Sequence, residues 1–408
     1  MKNSKIFKIC IILIIMILCF SAAIYVMLKD ENSILNEIIS KSTEKVIATV
    51  SEIEETQNVE DIKETDEERY LKYIKPNDQF NEVKIREKKD IIRFAGDIYF
   101  SNHVSAGYDK KGIAGVIDKS IKSLIDTSDI CVGNLECCIT DEENDKEEKT
   151  FNFAMPSKYV KALKDLNIEL FTIANNHILD YGVDAMNNTI KELDAANINY
   201  IGAGKNLYDA KKIFIKEIDG KRYAILAASA VLPRDSWKAD VDKPGVCNAY
   251  DIGVICNEIK FIRPYFDKII VYMHWGNELE EKSNELQQKF AHHIVNAGAD
   301  LIVGTHPHVI QEIEYYNGTP IIYSIGNFIF GKQVRDMIML EAEFDYSENE
   351  YGDARLRIYP GKSNFQMTTR YWDNAIVNSI YESINKKSVG CYIDKDGYVN
   401  IENNVGID

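Results

Sequence analysis

Five apolar runs in this chain each end in a short polar cluster, and that pattern constrains the fold more than any other feature. Ile91-Ile92-Arg93-Phe94-Ala95 runs into Gly96-Asp97, and Ile130-Cys131-Val132 into Gly133-Asn134-Leu135-Glu136. Phe171-Thr172-Ile173-Ala174 leads to Asn175-Asn176-His177. Ile269-Ile270-Val271-Tyr272-Met273 meets His274-Trp275-Gly276, and Leu301-Ile302-Val303-Gly304 meets Thr305-His306-Pro307-His308. Short β-branched runs of this kind read as buried strands, with the polar cluster where the chain leaves the sheet. Open α/β sheets hold their sites just outside the carboxyl ends of their strands. The pattern therefore predicts an α/β fold with Asp, Glu, Asn and His side chains gathered at one sheet edge.

Helical patterns at residues 114–125, 157–166, 182–195, 254–265 and 286–297 alternate with the runs, which implies a substantially parallel sheet. Asp219-Gly220 between two apolar runs is a hairpin signal, so the sheets should be mixed. This globular domain is expected over residues 89–345. A C-terminal α+β extension at 346–408 should pack on it, with strands and turns to residue 366, a helix over 372–386 and a hairpin about Asp396-Gly397.

The N-terminus predicts location. Lys2, Lys5 and Lys8 precede an uncharged apolar stretch, residues 9–28, whose 20 residues make about 30 Å of helix, the thickness of a bilayer core. The positive flank keeps the N-terminus cytoplasmic and the rest of the chain outside, as a single-pass protein of the cell membrane. Ser21-Ala22-Ala23 offers the rival reading of a cleaved signal peptide, but the apolar run continues past it to Leu28. Residues 29–88 are charged, lack glycine and read as a stalk. A net charge of −16 argues against nucleic acid as a partner. The 8 cysteines include no CxxC pair, so neither a disulfide framework nor a thiolate metal site is expected.

His306-Pro307-His308 is the sharpest chemical element, because two imidazoles leaving one strand can face a metal from a single turn. His274 ends its own strand and is a third candidate. Asp97 and Glu136 supply carboxylates, and Asn176 an amide oxygen. His177 is either a general acid or merely a cap for the following helix. Mixed oxygen and nitrogen ligands suit Mn, Zn or Fe, as one or two ions. A pair about 3.5–4 Å apart suits hydrolysis of a phosphoester, or of an amide.

With Asp180-Tyr181-Gly182, Glu278, Gln311 and Ser324-Ile325-Gly326-Asn327-Phe328 added, the series over residues 90–332 resembles the bacterial capsule-synthesis family, CapA or PgsA. The resemblance implies a four-layer αββα sandwich like that of the metallophosphoesterases. It also implies a role in making or exporting poly-γ-glutamate beside other capsule-synthesis membrane subunits. Residue by residue, Asp97 resembles the first metal carboxylate, Glu136 the bridging one, and Asn176 and His177 the ligand and acid pair. His274 resembles the isolated histidine ligand, and His306 and His308 the terminal pair. Asn134, Asn175, Trp275, Glu278 and Asn327 are the expected substrate-side residues, although Trp275 and Asn327 can equally be packing elements. Two departures stand out. Tyr99 occupies the position of the histidine in Asp-x-His, with His103 at the wrong spacing, and Glu136 replaces an aspartate. Either change leaves room for a single-ion site or one that binds without turnover. The alternatives to a hydrolase are a non-catalytic polymer-binding or export subunit and a cell-surface phosphoesterase unrelated to capsule.

Overall fold

Strand β1 (Asp90–Ile98) is buried along almost its whole length, as its Ile, Phe and Ala content requires. The structure is a computed structural model that describes residues 89–402 apart from 143–145, 332, 346–352 and 366. After β1 come α1 (Asn102–Lys111), α2 (Lys119–Asp126), β2 (Ile130–Leu135) and α3 (Val160–Leu166). Then follow β3 (Leu170–Thr172), α4 (Gly182–Ala195) and β4 (Asn199–Ile201). Strands β1 to β4 are parallel neighbours in chain order, the outcome expected of alternating strands and helices.

A second sheet follows. It comprises β5 (Phe214–Ile218), β6 (Lys221–Ser229), β7 (Lys268–His274), β8 (Leu301–Thr305), β9 (Ile313–Tyr316) and β10 (Thr319–Ile322), ordered β9-β10-β8-β7-β6-β5. Helices α5 (Ile252–Ile262) and α6 (Glu285–Ala297) connect its central parallel strands. The chain then returns to the first sheet. Strand β11 (Asn327–Ile329) lies parallel to the C-terminal end of β1, and β12 (Arg335–Asp345) antiparallel to its N-terminal part. Strands β13 (Asp353–Ser363) and β14 (Thr369–Arg370) continue the same sheet outward. Helix α7 (Asn374–Asn385) and a hairpin of β15 (Cys391–Ile393) and β16 (Val399–Ile401) complete the described chain.

The two sheets share one apolar core, in which Ile92, Phe94 and Val132 of the first join Tyr223, Ile225, Tyr272 and Val303 of the second. Buried tyrosines need partners for their hydroxyls, and here the partners lie across the sheets. Tyr272 donates to the Ala95 carbonyl at 2.8 Å, and Tyr223 to Asp90 Oδ2 at 2.6 Å.

The fold is the mixed α/β type that the sequence pattern implies. Asp219 and Gly220 have φ of 47° and 84°, the two left-handed residues of a tight hairpin turn between β5 and β6. The helix expected over 114–125 begins later, at Lys119, because Asp118 caps it by accepting from the Ile121 amide at 2.8 Å. The expected membrane segment at 9–28 and stalk at 29–88 lie outside the described residues. Among the described residues, no helix is long and apolar enough to cross a membrane.

Candidate metal centre

The parallel strands deliver their polar termini to one place. Asp97 is the penultimate residue of β1, Glu136 follows β2, and Asn176 and His177 follow β3. His274 ends β7, and His306 and His308 follow β8. Gly96 makes the delivery of Asp97 possible, since a Cβ there would lie 1.8 Å from the Gly326 carbonyl oxygen. His306 and His308 have φ of 93° and 60°. A left-handed backbone costs a non-glycine residue about 1–2 kcal/mol, and strain of this kind collects at functional sites. Both imidazoles reach ligand groups that share Glu136.

Two ligand groups share Glu136. In one, ligand atoms of Glu136, His274 and His306 lie within 4.8 Å of one another; in the other, those of Asp97, Glu136 and His308 do. His274 Nε2 is 3.5 Å from Glu136 Oε1 and 2.8 Å from Asn176 Oδ1, so Asn176 belongs to the first group. His308 Nδ1 is 3.4 Å from Asp97 Oδ2 and 3.9 Å from Glu136 Oε2. All six expected metal ligands are therefore brought together.

The residues fit a bound cation. Both carboxylate oxygens of Glu136 and Nδ1 of His306 are buried with no hydrogen-bond partner. Stranding such groups costs about 1–3 kcal/mol each, and a cation coordinated by them removes the penalty. Burial, and then the charges of Asp97 and Glu278, push the Glu136 carboxyl well above its usual range. Burial, together with the neighbouring imidazoles, holds His274 and His306 well below theirs, which keeps them neutral and able to coordinate.

His177 also approaches Glu136, with Nε2 3.9 Å from Oε1. Its Nδ1 is 2.6 Å from Asp180 Oδ2, and its ring stacks on Phe153 at 3.9 Å. It is not a helix cap, for α4 has Tyr181 at its N-cap and no side-chain capping bond. Lys149 pairs with Asp180, lies 3.2 Å from His177 Nδ1 and donates to the Asn176 carbonyl at 2.6 Å. The Asn-His-x-x-Asp spacing could have exposed the role of Asp180. Nothing distinguishes Lys149 within its charged loop.

The expected substrate-side residues divide. Asn134 and Asn175 are fully buried, with their amides engaged in hydrogen bonds beneath the carboxylates. Asn134 Nδ2 donates to Asp97 Oδ1 at 2.8 Å, and its Oδ1 accepts from Thr172 and Asn175, each at 3.1 Å. Asn175 Oδ1 in turn accepts from the His177 amide at 3.0 Å. Asn327, also buried, lies against His308. Glu278 is exposed and lines a cleft of about 340 Å³ beside His306, together with Trp275, Asn277, Gln287 and Tyr250. Trp275 both lines this cleft and packs in the core, where its indole N–H donates to the Tyr323 carbonyl at 2.9 Å. His103 is exposed on α1, its ring near Phe365.

The profile of the bacterial capsule synthesis protein family PGA_cap matches residues 91–332. The PGA biosynthesis protein CapA of Bacillus subtilis (strain 168) is 35% identical over 272 residues, which span 65% of this chain and 70% of that protein. The capsule biosynthesis protein CapA of Bacillus anthracis is 30% identical over 289 residues, spanning 68% and 69%. Among solved structures, the NAD nucleotidase of Haemophilus influenzae overlaps 76% of this chain and 65% of its own at 12% identity. Its TM-score is 0.43. The family profile covers every residue of the strand-end cluster, from Asp97 to Asn327, and the chain belongs to the bacterial capsule synthesis protein family.

Proposed function

We propose that the chain is a membrane-anchored, extracytoplasmic, metal-dependent hydrolase of capsule synthesis with a four-layer metallophosphoesterase-like architecture. Its substrate is poly-γ-glutamate or a related anionic envelope polymer, handled beside other membrane subunits of the synthesis machinery. The observation that carries this reading is Glu136, buried without a hydrogen-bond partner and shared by two ligand groups, with the oriented His177 Nε2 3.9 Å from its Oε1.

Asp97, Glu136, Asn176, His274, His306 and His308 would hold one or two Mn, Zn or Fe ions. A bound divalent ion supplies Lewis acidity to the bond being broken. Asp180 anchors His177 through Nδ1, so that Nε2 faces the centre and can give a proton to the leaving group. Lys149, paired with Asp180 and bonded to the Asn176 carbonyl, helps hold the His177 turn in place. Asn134 holds Asp97 in place, and Asn175 holds the backbone at His177.

The test is to load the full-length chain with Mn and assay a generic phosphodiester and a γ-glutamyl oligomer. Turnover that falls by about 100-fold or more in His177→Ala, with metal content unchanged, supports the enzyme. The substitution of Tyr99 at the Asp-x-His position favours a second reading, a polymer-binding or export subunit. Undetectable turnover with polymer binding unchanged in His177→Ala would establish that reading instead. The anchor is tested separately by fractionation, where the chain should follow the membranes and remain open to protease added outside the cell.

A further inference from the structure

The two ligand groups around Glu136 are unequal. One has four protein ligands, Glu136, Asn176, His274 and His306, whereas the other has three, Asp97, Glu136 and His308. Tyr99, where a histidine would complete the second group, stacks its ring on Phe153 at 4.4 Å.

We propose that the side-chain oxygen of Asn327 is the fourth ligand of a second divalent-ion position, formed with Asp97, Glu136 and His308. Strand β11 lies parallel to β1 with Asn327 directly opposite Asp97, so both side chains project from the same face of the sheet. Asn327 is 2% exposed. His308 Nδ1 is 2.7 Å from Asn327 Oδ1, 3.4 Å from Asp97 Oδ2 and 3.9 Å from Glu136 Oε2, so one nitrogen and three oxygens converge. Ligand atoms sharing an ion through bonds of ~2.1 Å stand roughly 3.0–3.4 Å apart, close to the spacing already present. An amide oxygen is a proper ligand for a hard or borderline cation, and Asn176 makes the same contribution on the opposite side. Each side of Glu136 would then have one asparagine. The missing histidine of β1 is replaced from the neighbouring strand, which enters the sheet more than two hundred residues later.

This inference rests on the metal reading above, and the experiment separates the two. Calorimetric titration of the chelator-treated full-length chain with Mn should give two equivalents for the wild type. Asn327→Ala should lose one of them, or weaken it roughly a hundredfold, and keep the other. His306→Ala should lose the opposite one. Asn327→Asp, which keeps shape and acceptor, should retain both and bind the second at least tenfold more tightly; it also decides the matter if the alanine variant does not fold. Anomalous diffraction from Mn-loaded crystals should place an ion in bonding contact with Asn327 Oδ1. A wild type that takes no ion overturns both this inference and the metal reading. A wild type with only one ion overturns this inference alone. So does an alanine variant with two unchanged sites, or an Asn327 bonded only to His308 beside an ion.

Discussion

Glu136 shows how a single side chain can serve a site at the expense of the fold. Its raised pKa means that the folded, metal-free protein keeps a proton above pH 4.5, the ordinary value, which the unfolded chain has given up. The folded state thus binds more protons, so stability falls as pH rises from there toward the raised folded value. The slope is about 1.4 kcal/mol per pH unit for one proton. Glu136→Gln removes this penalty and, with it, a ligand of both groups. Measured by urea melts in chelator, the variant should gain on the wild type as pH rises above the ordinary carboxylate range, while metal binding is lost. A stability difference that does not change with pH would contradict the assignment. His274 and His306 act with the opposite sign. Their lowered values mean that the unfolded chain takes up protons below about pH 6.5 that the folded state refuses, so acid weakens the metal-free fold. Replacing both by glutamine should flatten the acid limb of a plot of melting temperature against pH.

At the scale of elements, the site depends on strands and turns that allow backbones to touch. Gly96 lets β1 pass the Gly326 carbonyl, which leads directly into β11 and Asn327. Gly96→Ala would push a methyl group into backbone that has no rotamer to yield. The expected cost is about 3 kcal/mol in denaturant melts, the upper end for overpacking. Mn affinity should fall in the same variant, because Asp97 follows directly in the chain. Much at this scale was legible in advance. The period of α4 and the Asp-Gly turn between β5 and β6 are local signals, and the structure carries them as the residues imply. Helix α1 was not legible, for Asn102–Lys111 lacks an apolar stripe and buries only Val104, Ser105 and Gly107. The positive φ of His306 and His308 was also hidden, since histidine only modestly favours a left-handed bend and no glycine marks the turn.

The whole molecule brings a centre together from both sheets: Asp97, Glu136, Asn176 and His177 from the first, His274, His306 and His308 from the second. An ion bound across them favours the folded state only, by about 2.7 kcal/mol at a hundred times its dissociation constant. Saturating Mn should therefore raise the melting temperature by roughly 5 °C or more, chelator should reverse it, and Glu136→Gln, which alters both ligand groups, should abolish it. No shift in the wild type would count against a site that links the sheets. The sequence by itself determined that buried strands end in ligand-type residues, because apolar period and polar punctuation are local properties of the chain. It also carried the family pattern. Only the tertiary structure decided which ends meet. It buried Asn134 and Asn175 beneath the carboxylates, drew Lys149 from a charged loop to His177, and laid Asn327 beside Asp97. Those pairings join residues tens to hundreds of positions apart, and they are chosen by how two sheets close over one core.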